Sequence, residues 1–383
     1  MLKPKICIIC YSKIRWDSRV LREIESARSQ FQVDVIGYGP WQPPENVRFF
    51  PMPADLPDKV IRKILLLRGK IQPRYWEELY WLRKDCQSTR EILLRENYQL
   101  IHANDWDALP VAAKSIEKTG SKLLFDAHEY TPSQVINLID KILVAPYRDY
   151  IMRLYQENID AVITVSPGLK YLYQKNFGWE CQVIMNVANY IKAEYHSANS
   201  EKIQFIHIGA AIPARKIEDF IELISLLDKR FILNLLLLPH EKNYLQELKK
   251  FAKKKAASRV IFHDPVPPDH IVPFISQFDL SIPLIKAERI SYYYALPNKF
   301  FQSIMAGLGI ITTDLPDMGR IVRDHQIGKI SKGFSLETLA HVINSLSVEN
   351  INTFKQNSLN LAKTLNAETE MVKLMSIYMK LIS

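Results

Sequence analysis

Four polar clusters in this sequence follow runs of apolar residues, and each carries side chains able to do chemistry. His102-Ala-Asn-Asp-Trp-Asp107 comes after Tyr98-Gln-Leu-Ile101, and Asp126-Ala-His-Glu-Tyr130 comes after Lys122-Leu-Leu-Phe125. Both supply carboxylates and an imidazole, groups that bind hydroxyls and move protons. The same residue types close turns and cap helices, so His128 taken alone reads equally as a hydrogen-bonded turn residue. The third cluster, Gly209-Ala-Ala-Ile-Pro-Ala-Arg-Lys216, sets two cations just ahead of a helix, an arrangement suited to a diphosphate. The fourth runs from Leu296 to Gly307 and opens with Pro297, Asn298 and Lys299. A proline at a helix start with those neighbours presents amides and a cation to an anion. The plainer reading is a capped helix that packs through Phe300, Phe301 and Ile304.

Strand-length apolar runs alternate with helical stretches, the pattern of parallel α/β sheets. The spacing predicts strands at Lys5–Tyr11, Gln32–Gly37, Leu100–His102, Lys122–Asp126, Ala161–Val165 and Cys181–Met185, with helices at Asp17–Gln30, 76–96, 108–118, 149–158 and Pro167–Phe177. Asp17 is a good N-cap for the first of these helices, with Val20, Leu21, Ile24 and Ala27 as its apolar stripe. A polar, aperiodic stretch, Ile191–Lys202, reads as a linker. The pattern then restarts, with strands at Ile203–Ile208, Ile232–Leu238, Val260–His263, Leu280–Pro283 and Gly309–Thr312. Helices are expected at 215–229, 241–256, 268–277, 298–306 and, as one long amphipathic segment, 350–381. The domains are thus expected at 1–195 and 196–365, with a terminal helix, 366–383, crossing back to the first. Two such sheets in tandem place ligands at strand carboxyl ends.

Composition narrows the field. The 383 residues, 48% hydrophobic and 24% charged, exclude disorder and fibrous repeats and fit two or three domains. Four cysteines offer no disulfide framework, and Cys7-x-x-Cys10 has no second pair to complete a metal site, so buried thiols are expected. Glycine is scarce, 12 of 383, which counts against glycine-rich phosphate loops. The first eleven residues lack a signal-peptide core, and no apolar run reaches the ~18 residues of a membrane span, so a cytoplasmic location is expected. Of the net charge of +9, six basic residues and no acidic one lie between Lys59 and Arg74. With Val60, Ile64, Leu67 and Ile71 at helical spacing and the aromatics Tyr75, Trp76, Tyr80 and Trp81 after them, residues 59–81 read in two ways. One is a helix lying on an anionic membrane surface, peripheral on the inner face of the plasma membrane; the other is a surface helix packing its stripe on the domain. No binding motif points to nucleic acid.

In order and spacing these pieces resemble the retaining GT-B glycosyltransferases, and are similar to glycosyltransferase family 4. Asp17-Ser-Arg-Val20, His102 to Pro110, Asp126 to Tyr130, Ala161 to Gly168 and Met185-Asn-Val187 carry the resemblance in the first half. Gly209 to Ile217, Val260 to Val266 and Pro297 to Asp317 carry it in the second. The resemblance implies two Rossmann-like doubly wound domains facing a central cleft, and a nucleoside-diphosphate sugar held by the second domain. It implies that Arg215 and Lys299 contact the diphosphate, with Gly209, Lys216, Pro297 and Asn298 beside them, and that the loop around Val266 meets the base. On the acceptor side it implies His128 at the transferred sugar, with Asp17, Ser18, Arg19, Asp105, Glu129 and Tyr130 near it. The acceptor would be a glycan or a lipid-linked glycan of cell-surface polysaccharide synthesis. The resemblance further implies same-face attack with the leaving phosphate taking the acceptor proton, so no protein nucleophile is expected, and neither a cofactor nor a metal.

The sequence departs from that family at sites that matter. Aligned on Ala306-Gly307, the two glutamates usual in the family are Tyr294 and Gln302, and the basic residue usual after Gly209 is Ala210. Gln302 retains hydrogen-bonding capacity toward a ribose hydroxyl, whereas Tyr294 cannot imitate a carboxylate. The alternative these departures motivate is a catalytically silent relative that binds a partner or a glycan.

Overall fold

The structure is a computed structural model that describes residues 3–54, 57–133, 137–241, 243–283, 287 and 290–383. Two compact units result, Met1–Met185 with Glu370–Ser383, and Asn186–Thr369. The division thus falls after Met185 where residue 195 was expected, and the returning segment starts at Glu370 where 366 was expected.

The first unit is a parallel sheet in the order β3-β2-β1-β4-β5-β6-β7. Its strands are β1 (Lys5–Lys13), β2 (Gln32–Tyr38), β3 (Val47–Met52), β4 (Leu100–Asn104), β5 (Lys122–Asp126), β6 (Ala161–Thr164) and β7 (Cys181–Val183). Its helices are α1 (Ser18–Ala27), α2 (Lys59–Gly69), α3 (Arg74–Trp81), α4 (Lys84–Arg95), α5 (Leu109–Thr119), α6 (Ala145–Tyr155) and α7 (Pro167–Phe177). The central strands are near-continuous apolar runs because helices cover both faces of a parallel sheet. The chain order reverses between β1 and β4, the switch point where such sheets open a crevice.

The second unit repeats the plan in the order β10-β9-β8-β11-β12-β13. Its strands are β8 (Ile203–Ala211), β9 (Phe231–Pro239), β10 (Val260–His263), β11 (Leu280–Ser281), β12 (Gly309–Thr313) and β13 (Gly328–Ser331). Its helices are α8 (Ile217–Leu226), α9 (Tyr244–Ala256), α10 (Ile271–Ile275), α11 (Ile290–Tyr293), α12 (Asn298–Met305), α13 (Pro316–Asp324), α14 (Leu336–Asn344) and α15 (Val348–Ala362). Within the helix expected at 241–256, Lys242 lies outside the described residues, as do Met1 and Leu2 at the start. Phe205, Ile221, Leu233, Leu235, Leu339 and Ile343 build the core of this unit.

Four local expectations change. The helix read over 350–381 is two, α15 and α16 (Ala367–Ile382), because Asn366 takes over both ends of the break. Its side chain donates to the carbonyl of Ala362 and accepts from the amide of Thr369. From α16, Met371, Leu374, Met375 and Tyr378 enter the core of the first unit among Ile8, Val20 and Phe31. Fully burying each such side chain contributes about 1.5–3 kcal/mol, which is what holds the terminal segment there. The helix read over 76–96 breaks into α3 and α4 at Arg83, whose extended backbone lets its guanidinium reach Asp85 at 2.8 Å. The strands β3 and β13 were not read from the sequence. Finally, α2 forms and Asp58 caps it, but its stripe does not pack on the domain: Val60 is 65% exposed and Ile71 84%, while Leu65 and Leu66 face inward. Cys7, Cys10, Cys86 and Cys181 are all buried and unbridged, and no helix among the described residues is long and apolar enough to cross a membrane.

Candidate active site

Strand register assembles the site in the first unit. Cys10 of β1 lies level with Asn104 of β4, and Asn104 with Asp126 of β5, so the segments after these three strands share one edge of the sheet. Asp17 caps α1 by accepting from the amide of Val20, and the Ser12 hydroxyl donates to its other oxygen at 2.8 Å. Ser18 opens the helix at the surface. One residue on, Arg19 is buried, and its Nε lies 2.6 Å from Asp126 Oδ2 and 3.2 Å from Glu23 Oε1. A further Arg19 nitrogen donates to the carbonyl of Ile184 at 3.1 Å. Arg19 is therefore the cation set against the Asp126 carboxylate and the Glu23 carboxyl, while one Arg19 nitrogen, both Glu23 oxygens and Asp126 Oδ1 keep no hydrogen-bond partner among the described residues.

His128 lies at the mouth of this cluster, with Nε2 3.4 Å from Asp105 Oδ2 and Nδ1 4.0 Å from Asp126 Oδ2. Burial opposes its protonation, but Asp105 and then Asp126 outweigh it, so its pKa is raised. Asp105 adopts a left-handed backbone, φ 65°, which aspartate and asparagine tolerate better than most residues. Desolvation raises its carboxyl pKa, against the pull of His128. Glu129 is exposed and its carbonyl accepts from the Tyr173 hydroxyl, while Tyr130 is buried with its ring edge-on to Tyr173 at 5.3 Å.

Two groups here, Glu23 and Tyr378, were not singled out from the sequence, and His102 was read only as the imidazole of its polar cluster. Glu23 is fully buried and burial pushes its pKa up. His102 is held neutral, its pKa lowered to about 4 by burial, and its Nδ1 lies 2.6 Å from the hydroxyl of Tyr378 on α16. The only local sign was the i,i+4 spacing of Arg19 and Glu23, while Tyr378 had none. Glu23, His102 and Asp126 bring metal-ligand atoms within 4.8 Å of one another. The guanidinium of Arg19 lies against both carboxylates, so a divalent ion there would face a fixed cation.

In the second unit, β8 ends at Gly209 to Ala211 and a 3-10 turn, Pro213–Arg215, leads into α8. Lys216 makes that turn possible with a left-handed backbone, φ 50°. A Cβ at Gly209 would come within 3.1 Å of an Arg215 guanidinium nitrogen and 3.5 Å of His207 Nε2, so the missing side chain keeps this corner open. His207, also unread in the sequence, is fully buried and uncharged, with Nδ1 on the carbonyl of Ile282 at 3.0 Å. Pro297 precedes α12 with extended backbone and no side chain caps the helix, so Asn298 and Lys299 sit in an open first turn. Ser303 donates to Ser281 of β11 at 2.8 Å and fixes that helix on the sheet. Lys299 is mostly enclosed: burial first, and then the nearby Arg215, lower its pKa to about 7. No carboxylate among the described residues pairs with Arg215 or Lys299. Gln302 is half-buried one turn further along α12, Val266 lies half-exposed in the loop after β10, and Tyr294 stands edge-on to Tyr293 at 5.1 Å. Arg215 and Lys299 are thus brought together, as are Asp17, Arg19, Asp105 and His128, each set within its own unit.

Comparison with known proteins agrees with the fold. Residues 19–207 match the family model described as Glycosyltransferase Family 4. No relative among curated proteins matches. Among solved structures, sucrose-phosphate synthase from Thermosynechococcus elongatus is similar at TM-score 0.74 and 15% identity, over 99% of each chain. The Anabaena protein HepE, solved with UDP and glucose, is similar at TM-score 0.67 and 14% identity, over 98% of this chain and 99% of that one. WaaG, a glycosyltransferase involved in lipopolysaccharide biosynthesis, is similar at TM-score 0.66 and 14% identity, over 97% and 99%. At these identities the neighbours speak for the fold, and the family match speaks for residues 19–207. The chain has the two-domain GT-B fold of these structures, and its residues 19–207 are similar to Glycosyltransferase Family 4.

Proposed function

We propose that the protein is a retaining, metal-independent hexosyltransferase that uses a nucleoside-diphosphate sugar and builds a cell-surface polysaccharide. The observation that carries this reading is the pair Arg215 and Lys299, two mutually repelling cations at a strand end and a helix start with no carboxylate partner among the described residues. Such a pair is completed by a diphosphate. In the transfer step the bond from the sugar C1 to the diphosphate oxygen breaks and the acceptor oxygen bonds to C1 on the same face. The acceptor proton passes to the leaving phosphate. Charge grows on that phosphate, where Arg215, Lys299 and the first-turn amides of α12 stabilise it. Asn298, Gly209 and Lys216 line the diphosphate, Val266 meets the base and Gln302 a ribose hydroxyl. His128, its pKa raised by Asp105 and Asp126 against burial, is the residue at the sugar, and Asp17, Ser18 and Arg19 belong to the acceptor side.

The acceptor in this reading is a glycan or lipid-linked glycan, used on the cytoplasmic side with the protein peripheral on the membrane. Support comes from α2 and the turn after it, where Val60, Ile61, Ile64, Leu67 and Ile71 are exposed beside Lys59, Arg62, Lys63 and Lys70. HepE, solved with UDP and glucose, and WaaG, involved in lipopolysaccharide biosynthesis, support the same reading. The test is incubation with UDP-, GDP- and ADP-sugars, with and without membrane extract, reading donor hydrolysis and transfer. Silence with every donor and acceptor would sink the proposal. Tyr294 and Gln302, in place of two carboxylates, favour a second reading, a silent relative that binds a partner or a glycan. Calorimetry with UDP and GDP separates the two, since no nucleotide binding at millimolar concentration leaves only the second.

A further inference from the structure

The first unit holds a cavity that the transfer chemistry above does not use. Its volume is about 670 Å³, it is wide-mouthed, and Trp41, Phe49, Pro40 and Pro51 form its walls with Arg15 and Gln42 as polar members. Its construction is local. After β2 the chain turns through Gly39, whose φ of 88° is the left-handed conformation that glycine adopts at no steric cost. It then runs Pro40-Trp-Gln-Pro-Pro44 into β3. Three prolines in five residues restrict the unfolded chain and leave the wall preformed. Trp41 meets Phe49 edge-on at 5.3 Å, and both rings pack in part against the core of the unit. Arg15 comes from the turn after β1, two residues before Asp17, and its guanidinium lies 4.6 Å over the ring of Trp16, which is 69% exposed.

This volume falls in the ordinary range for small-ligand sites, about 300–1,000 Å³. A pyranose ring has an apolar C–H face and a rim of hydroxyls. The face matches an indole and a phenyl ring flanked by prolines. The rim matches the Gln42 amide, the Arg15 guanidinium and the indole N–H of Trp41, which donates to no described residue. We propose that this cavity is a second sugar subsite, one that grips an internal residue of a glycan chain away from the point of transfer. The inference rests on the glycosyltransferase reading and extends it: the acceptor is an oligosaccharide, and the loop from β1 links its recognition by Arg15 to Asp17. A nucleobase also stacks on an indole, so the experiment separates the two.

The full chain is titrated by calorimetry and tryptophan fluorescence with maltohexaose, chitohexaose and hexaguluronate, each against its monosaccharide, and separately with UDP and GDP. At least one hexasaccharide should bind more tightly than its monosaccharide. Gln42→Ala and Arg15→Ala, both at exposed positions, should each weaken it about tenfold, and Trp41→Phe at least as much, with nucleotide affinity unchanged in all three. No hexasaccharide binding, or binding that all three variants leave intact, overturns the subsite. Loss of nucleotide binding in Trp41→Phe also overturns it, by making the cavity a base site. Nucleotide binding and turnover without hexasaccharide binding remove the subsite and leave the enzyme. Hexasaccharide binding with no turnover of any donor removes the enzyme and leaves the subsite.

Discussion

The polar clusters of the two units differ in how their charge is balanced. In the first, Arg19 lies between Asp126 and Glu23, and His128 lies near Asp105 and Asp126. Every cation there has a carboxylate from its own unit. In the second, Lys299 and Arg215 repel each other, and burial has already brought Lys299 to about 7. The charges of the first cluster are balanced within the unit, although Arg19, Glu23, His102, Asn104, Asp126 and His128 each keep a buried polar atom without a hydrogen-bond partner, whereas only an anion from outside balances the second. Damage to the first should therefore read out in folding, and damage to the second in binding.

The largest effect expected from that contrast is Arg19→Ala. It leaves the buried Asp126 carboxylate, with the Glu23 carboxyl beside it, without a cation and should cost about 3–5 kcal/mol of stability, measured by urea denaturation. Arg215→Ala, at an exposed position, should stay within about 0.5 kcal/mol in the same assay. Equal losses in the two variants would end the comparison. Next, Lys299→Ala should lower nucleoside-diphosphate affinity by ten- to a hundredfold, the loss of about 1.5–3 kcal/mol from a charged hydrogen bond. Unchanged affinity by calorimetry removes the phosphate role from Lys299.

A finer effect is proton uptake. A bound anion favours charged Lys299, so its pKa should rise from about 7 on nucleotide binding. Uptake should then be clear near pH 8 and fade below about pH 6, where the lysine is already charged. Calorimetry in buffers of different ionisation heat reads this directly, and the signal should vanish in Lys299→Ala. The smallest expected effect is Asp105→Asn, which keeps a residue tolerant of φ 65° and removes the largest contribution raising His128. The NMR titration midpoint of His128 should fall. A raised histidine adds stability that is fully present below its unfolded value near 6.5 and is lost as pH rises through the folded value. The variant should therefore lose more stability at about pH 6 than at about pH 9, and a midpoint that does not move assigns the shift to Asp126.

Much of the fold was legible because its signals are local. The alternation of apolar runs and helical stripes located eleven of the strand segments, since period and burial are written in neighbouring residues. The edge strand β3 was missed because Val-Arg-Phe-Phe-Pro-Met carries a proline, which only an edge tolerates. The breaks at Arg83 and Asn366 were missed because apolar spacing continues across both, and the side chains that stop each helix are recognisable only by their partners. The stripe of α2 was readable as a stripe, but its direction was not, because facing outward or inward depends on what else covers the sheet.

By itself the sequence determined two parallel sheets, the N-cap at Asp17 and the cations ahead of α8 and in α12, because capping and periodicity act within a few residues. Tertiary structure alone decided which charges are balanced. It set Arg19 on Asp126, 107 residues away, and Tyr378 on His102, 276 residues away. It also left Arg215 and Lys299 side by side without a carboxylate among the described residues. The reason is physical: a charge is stabilised or strained by burial and by neighbours within a few ångströms, and the fold brings those neighbours from anywhere in the chain.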